Sequence, residues 1–234
     1  MNHTLENLKN NPGFNCDILE ILRRQTGRVL YAENGDFLIY DTASGGNYMN
    51  ASTIEAARHM LDLVTDGNLF CIRQKEYSAI IEKKFPVKYR LKVSQAYYAE
   101  NTPITLPEIP FEIKRLDHTH IPFLKENYKE VQTQGYIEGR VSEGMFGIFD
   151  ENRIAGFIGK HEEGSMGLLH IMPSHRRMNL GVALLAFMVN RTLELGEYPY
   201  SQVSLGNDAS LSLHKKLGFR ISGEYVYWLD RESL

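Results

Sequence analysis

The chain has 234 residues, enough for one large domain or two that each bury a core. Its 43% hydrophobic and 24% charged residues, with a formal net charge of -3, describe a soluble protein and lack the basic excess of a nucleic-acid binder. Two cysteines, Cys16 and Cys71, stand without metal-ligand or disulfide spacing, and no run of about 18 apolar residues occurs, so neither a metal, a disulfide framework nor a membrane span is expected. The polar N-terminus carries no secretory pattern, and the expected setting is the cytoplasm.

In chain order, 17–25 reads as a helix, and 27–41 as two strands joined at Asn34-Gly35, a dipeptide favoured in tight hairpins. "SGGNYMN", Ser44 to Asn50, reads as a loop leading into the helix "TIEAARHMLDLV". A short strand "NLFCIR", a helix "KEYSAIIEKKF" and a strand "YRLKVSQAYYA" follow, the last alternating like a half-buried strand. Between Ala99 and Pro110 three prolines in eight positions forbid regular backbone bonding. A domain boundary is placed there, giving domains 1–105 and 106–234.

Beyond the seam come a strand at 111–117, helices at 120–130 and 133–144, and strands at 145–150, 154–161 and 166–172. A helix from Asn179 to Leu195, a strand at 200–206, a helix at 208–217 and a final strand at 219–229 complete the chain. Both halves therefore read as a hairpin or meander, helix, strand, helix, strand, the order of a degenerate duplication. The class is α+β with a mixed sheet. Tyr225 to Trp228 complete that sheet or line a pocket.

The turn "PSHRRMNLG" joins a strand to a helix. The first N–H groups of a helix lack internal partners and carry the positive end of its dipole, so such a turn can cradle an anion. Arg176 and Arg177 add charge, Gly181 permits close approach, and small Ala183 permits close packing. A solvated surface turn remains the other reading. Further on, "LGNDASLSLHKKLGF" places Asn207 at a strand end and Gly218 at a helix C-terminus.

Together these two motifs resemble the GNAT N-acetyltransferase superfamily. Arg176-Arg177-Met178-Asn179-Leu180-Gly181 is similar to its acyl-CoA signature Q/R-x-x-G-x-G/A except at Asn179. Asn207, Ser210, Leu213, Lys216, Leu217, Gly218 and Phe219 fit its later pattern, with His214 where Tyr is usual. The resemblance covers about 111 to 229 and looks most like the glycine N-acyltransferase-like branch. It implies two tandem GNAT-like units with a degenerate first one, and an N-acyltransferase that passes an acyl group from acetyl-CoA directly to an amine of a small molecule or amino acid.

By the same resemblance, Leu169, His170 and Ile171 offer main-chain groups to the pantetheine. The pyrophosphate rests on Arg177, Met178, Asn179, Leu180, Gly181 and Val182 beside Arg176 and Ala183. Asn207, Ser210 and Lys216 belong to the cofactor-binding set, and Asn179 is expected to adopt left-handed backbone angles. His214 is the candidate proton donor and His170 the candidate base, while His161, Glu162 and Glu163 are expected in solvent at a strand turn. A packed core role for either histidine, and a CoA-binding module without turnover, are the alternatives. A monomer or homodimer is expected.

Overall fold

A computed structural model describes residues 3–129 and 134–231. After α1 (His3–Asn7) and α2 (Pro12–Arg23) come β1 (Gly27–Glu33), β2 (Asp36–Asp41), β3 (Gly46–Asn50), α3 (Ile54–Asp62), β4 (Leu69–Ile72), α4 (Ser78–Lys84) and β5 (Val87–Tyr97). The second half has β6 (Glu112–Arg115), α5 (Ile121–Asn127), α6 (Tyr136–Gly144), β7 (Phe146–Asp150), β8 (Arg153–Lys160), β9 (Met166–Ile171), α7 (Leu180–Glu194), β10 (Tyr200–Ser204), α8 (Asp208–Lys216) and β11 (Arg220–Arg231). From β1 to β5 and from β7 to β11, three strands are followed by helix, strand, helix, strand. Glu130 and Thr133, at the ends of two expected helices, lie outside the described residues.

One expectation in the first half is corrected. Within 44–50 only Ser44 and Gly45 belong to the turn, which begins at Thr42; Gly46–Asn50 forms β3, antiparallel to β2 and parallel to β4. Gly45 supplies the turn with a φ of 70°. The following residues, Asn47, Tyr48 and Met49, are buried because helices cover both faces of the sheet, so no polar alternation marked the strand.

The two halves exchange their last strands. A seven-stranded sheet runs β1-β2-β3-β4-β11-β5-β10, and a four-stranded one β6-β7-β8-β9. Strand β11 pairs with β4, and β5 pairs with β10, all antiparallel. Each half's final strand thus lies beside the other half's penultimate strand, and β5 and β11 pair with each other between them. Pairing favours the joined arrangement, because neither half presents its terminal strand as an open edge.

Alternating side chains feed the core on each face of the large sheet. Phe37, Ile39, Tyr48, Cys71 and Val226 meet Ile18 and Ile21 of α2, while Leu38, Met49, Phe70 and Ile72 meet Met60 of α3 and Ile81 of α4. In the small sheet Ile148, Ile158 and Met166 face α7, whose Ala183 and Leu184 are fully buried. Its opposite face, with Phe157 and Leu168, packs under α5 and α6. That division decides which side of β9 each site residue faces.

Candidate active site

Strands β9 and β10 are neighbouring edges of two different sheets, with no ladder between them among the described residues. They are tied near their beginnings, where the Tyr200 hydroxyl donates to the Glu163 carbonyl at 3.0 Å. The β8–β9 register slips between Phe157 and Gly159, and Leu168 there has a φ of 51°. A bulge of this kind re-aims a strand edge. Past it, Met172 N–H donates to Ala155 and His170 sits opposite Phe157. The alternation of antiparallel ladder bonds then turns the main-chain groups of Leu169 and Ile171 away from β8, toward the opening between β9 and β10.

His170 falls on the other parity. Its peptide belongs to the β8 ladder, and its ring stacks on Phe157 at 5.4 Å, on the α5–α6 side. Leu169 and Ile171 pack on the α7 side. Ile171 differs from the sequence expectation in one respect: its carbonyl accepts from Arg176 Nε at 3.3 Å, which leaves its N–H as the group for a ligand.

The turn from β9 to α7 has the shape an anion needs. Arg177 and Asn179 have φ values of 64° and 60°, both left-handed, and Asn179 is the residue expected there. Asn tolerates this region because its short polar side chain finds local partners. Asn179 makes no capping bond to α7; its Oδ1 instead accepts from Lys216 Nζ at 3.4 Å. The first hydrogen bond of the helix runs from Ala183 N to Asn179 O at 3.0 Å, so the preceding N–H groups of Leu180, Gly181 and Val182 point out of the helix end.

Size and charge agree with that geometry. Arg176, Arg177, Met178 and Asn179 are exposed, whereas Leu180 and Ala183 bury their side chains and contribute backbone and packing. A Cβ on Gly181 would stand 3.6 Å from Leu213 and 3.8 Å from Ile171, ordinary contact distances. Protein packing therefore does not demand glycine here. His175 braces the turn, its Nε2 lying 3.1 Å from Asp150 Oδ2, a support between residues 25 positions apart that no local spacing marks.

On α8, Asn207 caps the helix, its Oδ1 accepting from Ser210 N at 3.1 Å. The Ser210 carbonyl accepts from His214 Nδ1 at 2.8 Å. Both polar groups are thus engaged within the helix. His214 is 4% exposed, meets Phe219 edge-on at 4.8 Å, and burial pushes its pKa down. Its Nε2 is buried and has no hydrogen-bond partner among the described residues. With Nδ1–H committed to a carbonyl, a neutral imidazole presents a lone pair at Nε2, the chemistry of an acceptor.

The turn before β9 corrects another expectation. Glu163 is buried, with its carboxylate accepting from Ser165 Oγ. His161 is half-buried, its Nδ1 bonded to Tyr136 Oη. Glu162 is half-buried beside Arg140, and burial raises its pKa. The cause is the first half of the chain: Arg24 Nη1 donates to the Glu162 carbonyl at 2.8 Å, and Gly164 packs against Glu20. A contact between residues separated by 138 positions leaves no trace in local spacing.

The corresponding turn of the first half, 51–53, is closed by protein groups. Ser52 N donates to Asp36 Oδ1 at 2.7 Å, Ala51 N to Gln74 Oε1 at 3.1 Å, and Thr53 Oγ1 accepts from Ala56 N at 3.1 Å. A carboxylate and a helix cap use the donors that a phosphate would need. Strands β3 and β4 there stay paired in parallel, without the opening seen between β9 and β10.

A broken strand pair, a bulged strand and a left-handed turn onto an uncapped helix now stand together. Residues 144–229 match the FR47-like protein family. Solved structures match over nearly the whole chain. A Drosophila protein aligns over 97% of this chain and 93% of its own, with a TM-score of 0.73 at 13% identity. A GCN5-related N-acetyltransferase from Kribbella flavida aligns over 100% and 97%, with a TM-score of 0.59 at 10% identity. A GNAT-family protein from Novosphingobium aromaticivorans aligns over 95% and 97%, with a TM-score of 0.57 at 16% identity.

The chain has the GNAT fold. No curated protein sequence matches it. Within that fold, the first half repeats the element order of the second half, and the opening described above lies in the second half.

Proposed function

We propose that the chain is an acyl-CoA-dependent N-acyltransferase, using acetyl-CoA and acting directly on a primary amine of a small molecule or amino acid. One observation carries this reading: β9 and β10, neighbouring edges of two sheets with no ladder between them among the described residues, part next to a helix start that has no side-chain cap and holds left-handed Arg177 and Asn179 before it. The N–H groups of Leu180, Gly181 and Val182, with Arg176 and Arg177, would hold the pyrophosphate, and Leu169 and the Ile171 N–H the pantetheine amides. Lys216, fixed on Asn179, adds a cation beside the phosphates.

Direct transfer requires an amine in its neutral form, a polarised thioester carbonyl and a route for the proton to the thiolate. His170, on the α5–α6 side of β9, is the candidate base, for an acceptor that approaches from that side. Neither cysteine competes as a nucleophile, since burial pushes both thiols well up. These buried free thiols also support a reducing, cytoplasmic setting. Residues 1–105 form the degenerate unit and 106–234 the catalytic one in this reading, nearest in kind to the glycine N-acyltransferase-like branch.

A second reading has its own observation. Where GNAT enzymes commonly place a Tyr proton donor, His214 is buried, pushed toward its neutral form and presents a lone pair. A CoA-binding module without turnover would need no donor there. Free thiol released from acetyl-CoA across a panel of amines and amino acids distinguishes the two. Amine-dependent release supports the enzyme; calorimetric CoA binding with no release over the panel supports the binding module, and no CoA binding overturns both.

A further inference from the structure

A cavity of about 180 Å³ lies between the two halves, at the far end of α7 from the proposed pyrophosphate turn. With 15 residues in α7 at about 1.5 Å each, the two places are about 20 Å apart. Its walls come from the end of α2, the end of β6, the end of α6, the β8–β9 turn and the last turn of α7. Such a volume holds about six waters, or one small molecule of comparable size.

The charges in its wall are unevenly matched. Every lining carboxylate already has a cation: Glu20 accepts from Arg23, Glu143 from Arg140, and Glu197 from Lys160 and Arg23. Three lining arginines have no carboxylate partner among the described residues. Arg24 is held by the Glu162 carbonyl at 2.8 Å, Arg115 by the Ser142 carbonyl at 3.0 Å, and Arg191 lies over the Phe146 ring at 5.4 Å.

Each guanidinium is therefore positioned by a neutral contact while most of its five N–H donors stay uncommitted. Arg24 is half-buried and Arg115 and Arg191 are exposed, so three cations without a carboxylate partner among the described residues border one small space, where an anion would join them. One carbonyl anchor each on Arg24 and Arg115, and the ring under Arg191, restrict these side chains and so reduce the entropy lost on binding. From this arrangement we infer that the cavity is a binding site for a small dianion, an inorganic phosphate or a short dicarboxylate, recognised by Arg24, Arg115 and Arg191. The site joins groups from both halves and is separate from the acyl-CoA opening.

The test is a thermal-shift titration with inorganic phosphate and, separately, succinate, at ionic strength held constant with sodium chloride, with and without saturating CoA. The expected result is a saturable rise in Tm that persists with CoA present. Arg191→Met and Arg115→Met should each weaken the apparent affinity by about tenfold or more, while retaining wild-type shifts with CoA as proof of an intact fold. No saturable rise with either anion would overturn the inference. So would a rise unchanged in both variants, or one that vanishes when CoA occupies the turn. A chain that ignores CoA yet responds to phosphate through Arg191 would retire the acyltransferase reading and keep this one.

Discussion

Lys216 Nζ donates to Asn179 Oδ1 at 3.4 Å, joining the last turn of α8 to the turn before α7. That bond gives Asn179 a partner while its backbone sits at a φ of 60°. Replacing it by Gly removes the partner but also the left-handed cost, and the two changes oppose each other. Asn179→Gly is expected to keep CoA affinity within about threefold of wild type, whereas Asn179→Val, with a branched Cβ in a region costing about 1–2 kcal/mol, should lower it about tenfold. Isothermal titration with CoA measures both; a large gain in the glycine variant would show that Asn179 strains the turn.

Much of this arrangement was legible in the sequence because it is local. The spacing of Arg176 to Gly181 and of Asn207 to Phe219 lies within single strand-helix junctions, where capping and φ preferences act over a few residues. The left-handed conformation of Asn179 follows on those grounds. The exchange of β5 and β11 was not foreseen, because either partner buries the same alternating face. Nor was the burial of Glu163, which depends on α2 arriving from the other half. β3 escaped notice since its apolar and polar residues are buried alike on a sheet covered on both sides.

Arg73 makes a two-pronged bond to Asp17, at 2.7 and 3.0 Å, with both side chains buried between α2 and β4. Removing only the cation leaves an uncompensated buried carboxylate. Arg73→Met is expected to destabilise the fold by about 3–5 kcal/mol, and Asp17→Leu with Arg73→Met together by less than either single change. Urea unfolding of the four proteins in the cycle measures the coupling. Additive losses would mean that the two residues act separately.

Gly156 stands opposite Ile171 on β8, and a Cβ there would lie 2.8 Å from the His170 carbonyl and 2.6 Å from the Ile171 side chain. The carbonyl cannot swing aside as a flexible side chain can. Gly156→Ala should therefore push β9 out of register at the edge assigned to pantetheine, costing about 1–3 kcal/mol of stability. Gly139→Ala, inside α6 where nothing lies within 4 Å, serves as the control: it should raise stability by about 0.5–1 kcal/mol through helix propensity and leave CoA affinity unchanged. Calorimetric titration together with urea unfolding decides the matter; equal CoA affinity in the two variants would detach Gly156 from the site.

His214 links stability to pH with a definite sign. Burial lowers its pKa in the folded chain below the ordinary value of about 6.5, which the unfolded chain regains. Below pH 6.5 the unfolded state therefore binds a proton that the folded state refuses, and the slope of unfolding free energy against pH is positive. The stabilisation from a neutral His214 is fully present above pH 6.5 and falls as pH drops from there toward the lowered folded value. His214→Phe, which keeps an aromatic ring against Phe219 and has no proton to bind, should flatten this part of the Tm profile between about pH 6.5 and 5 relative to wild type. A variant profile parallel to that of wild type across this range would show that His214 titrates alike in both states, and would reopen its candidacy as a proton donor to the thiolate.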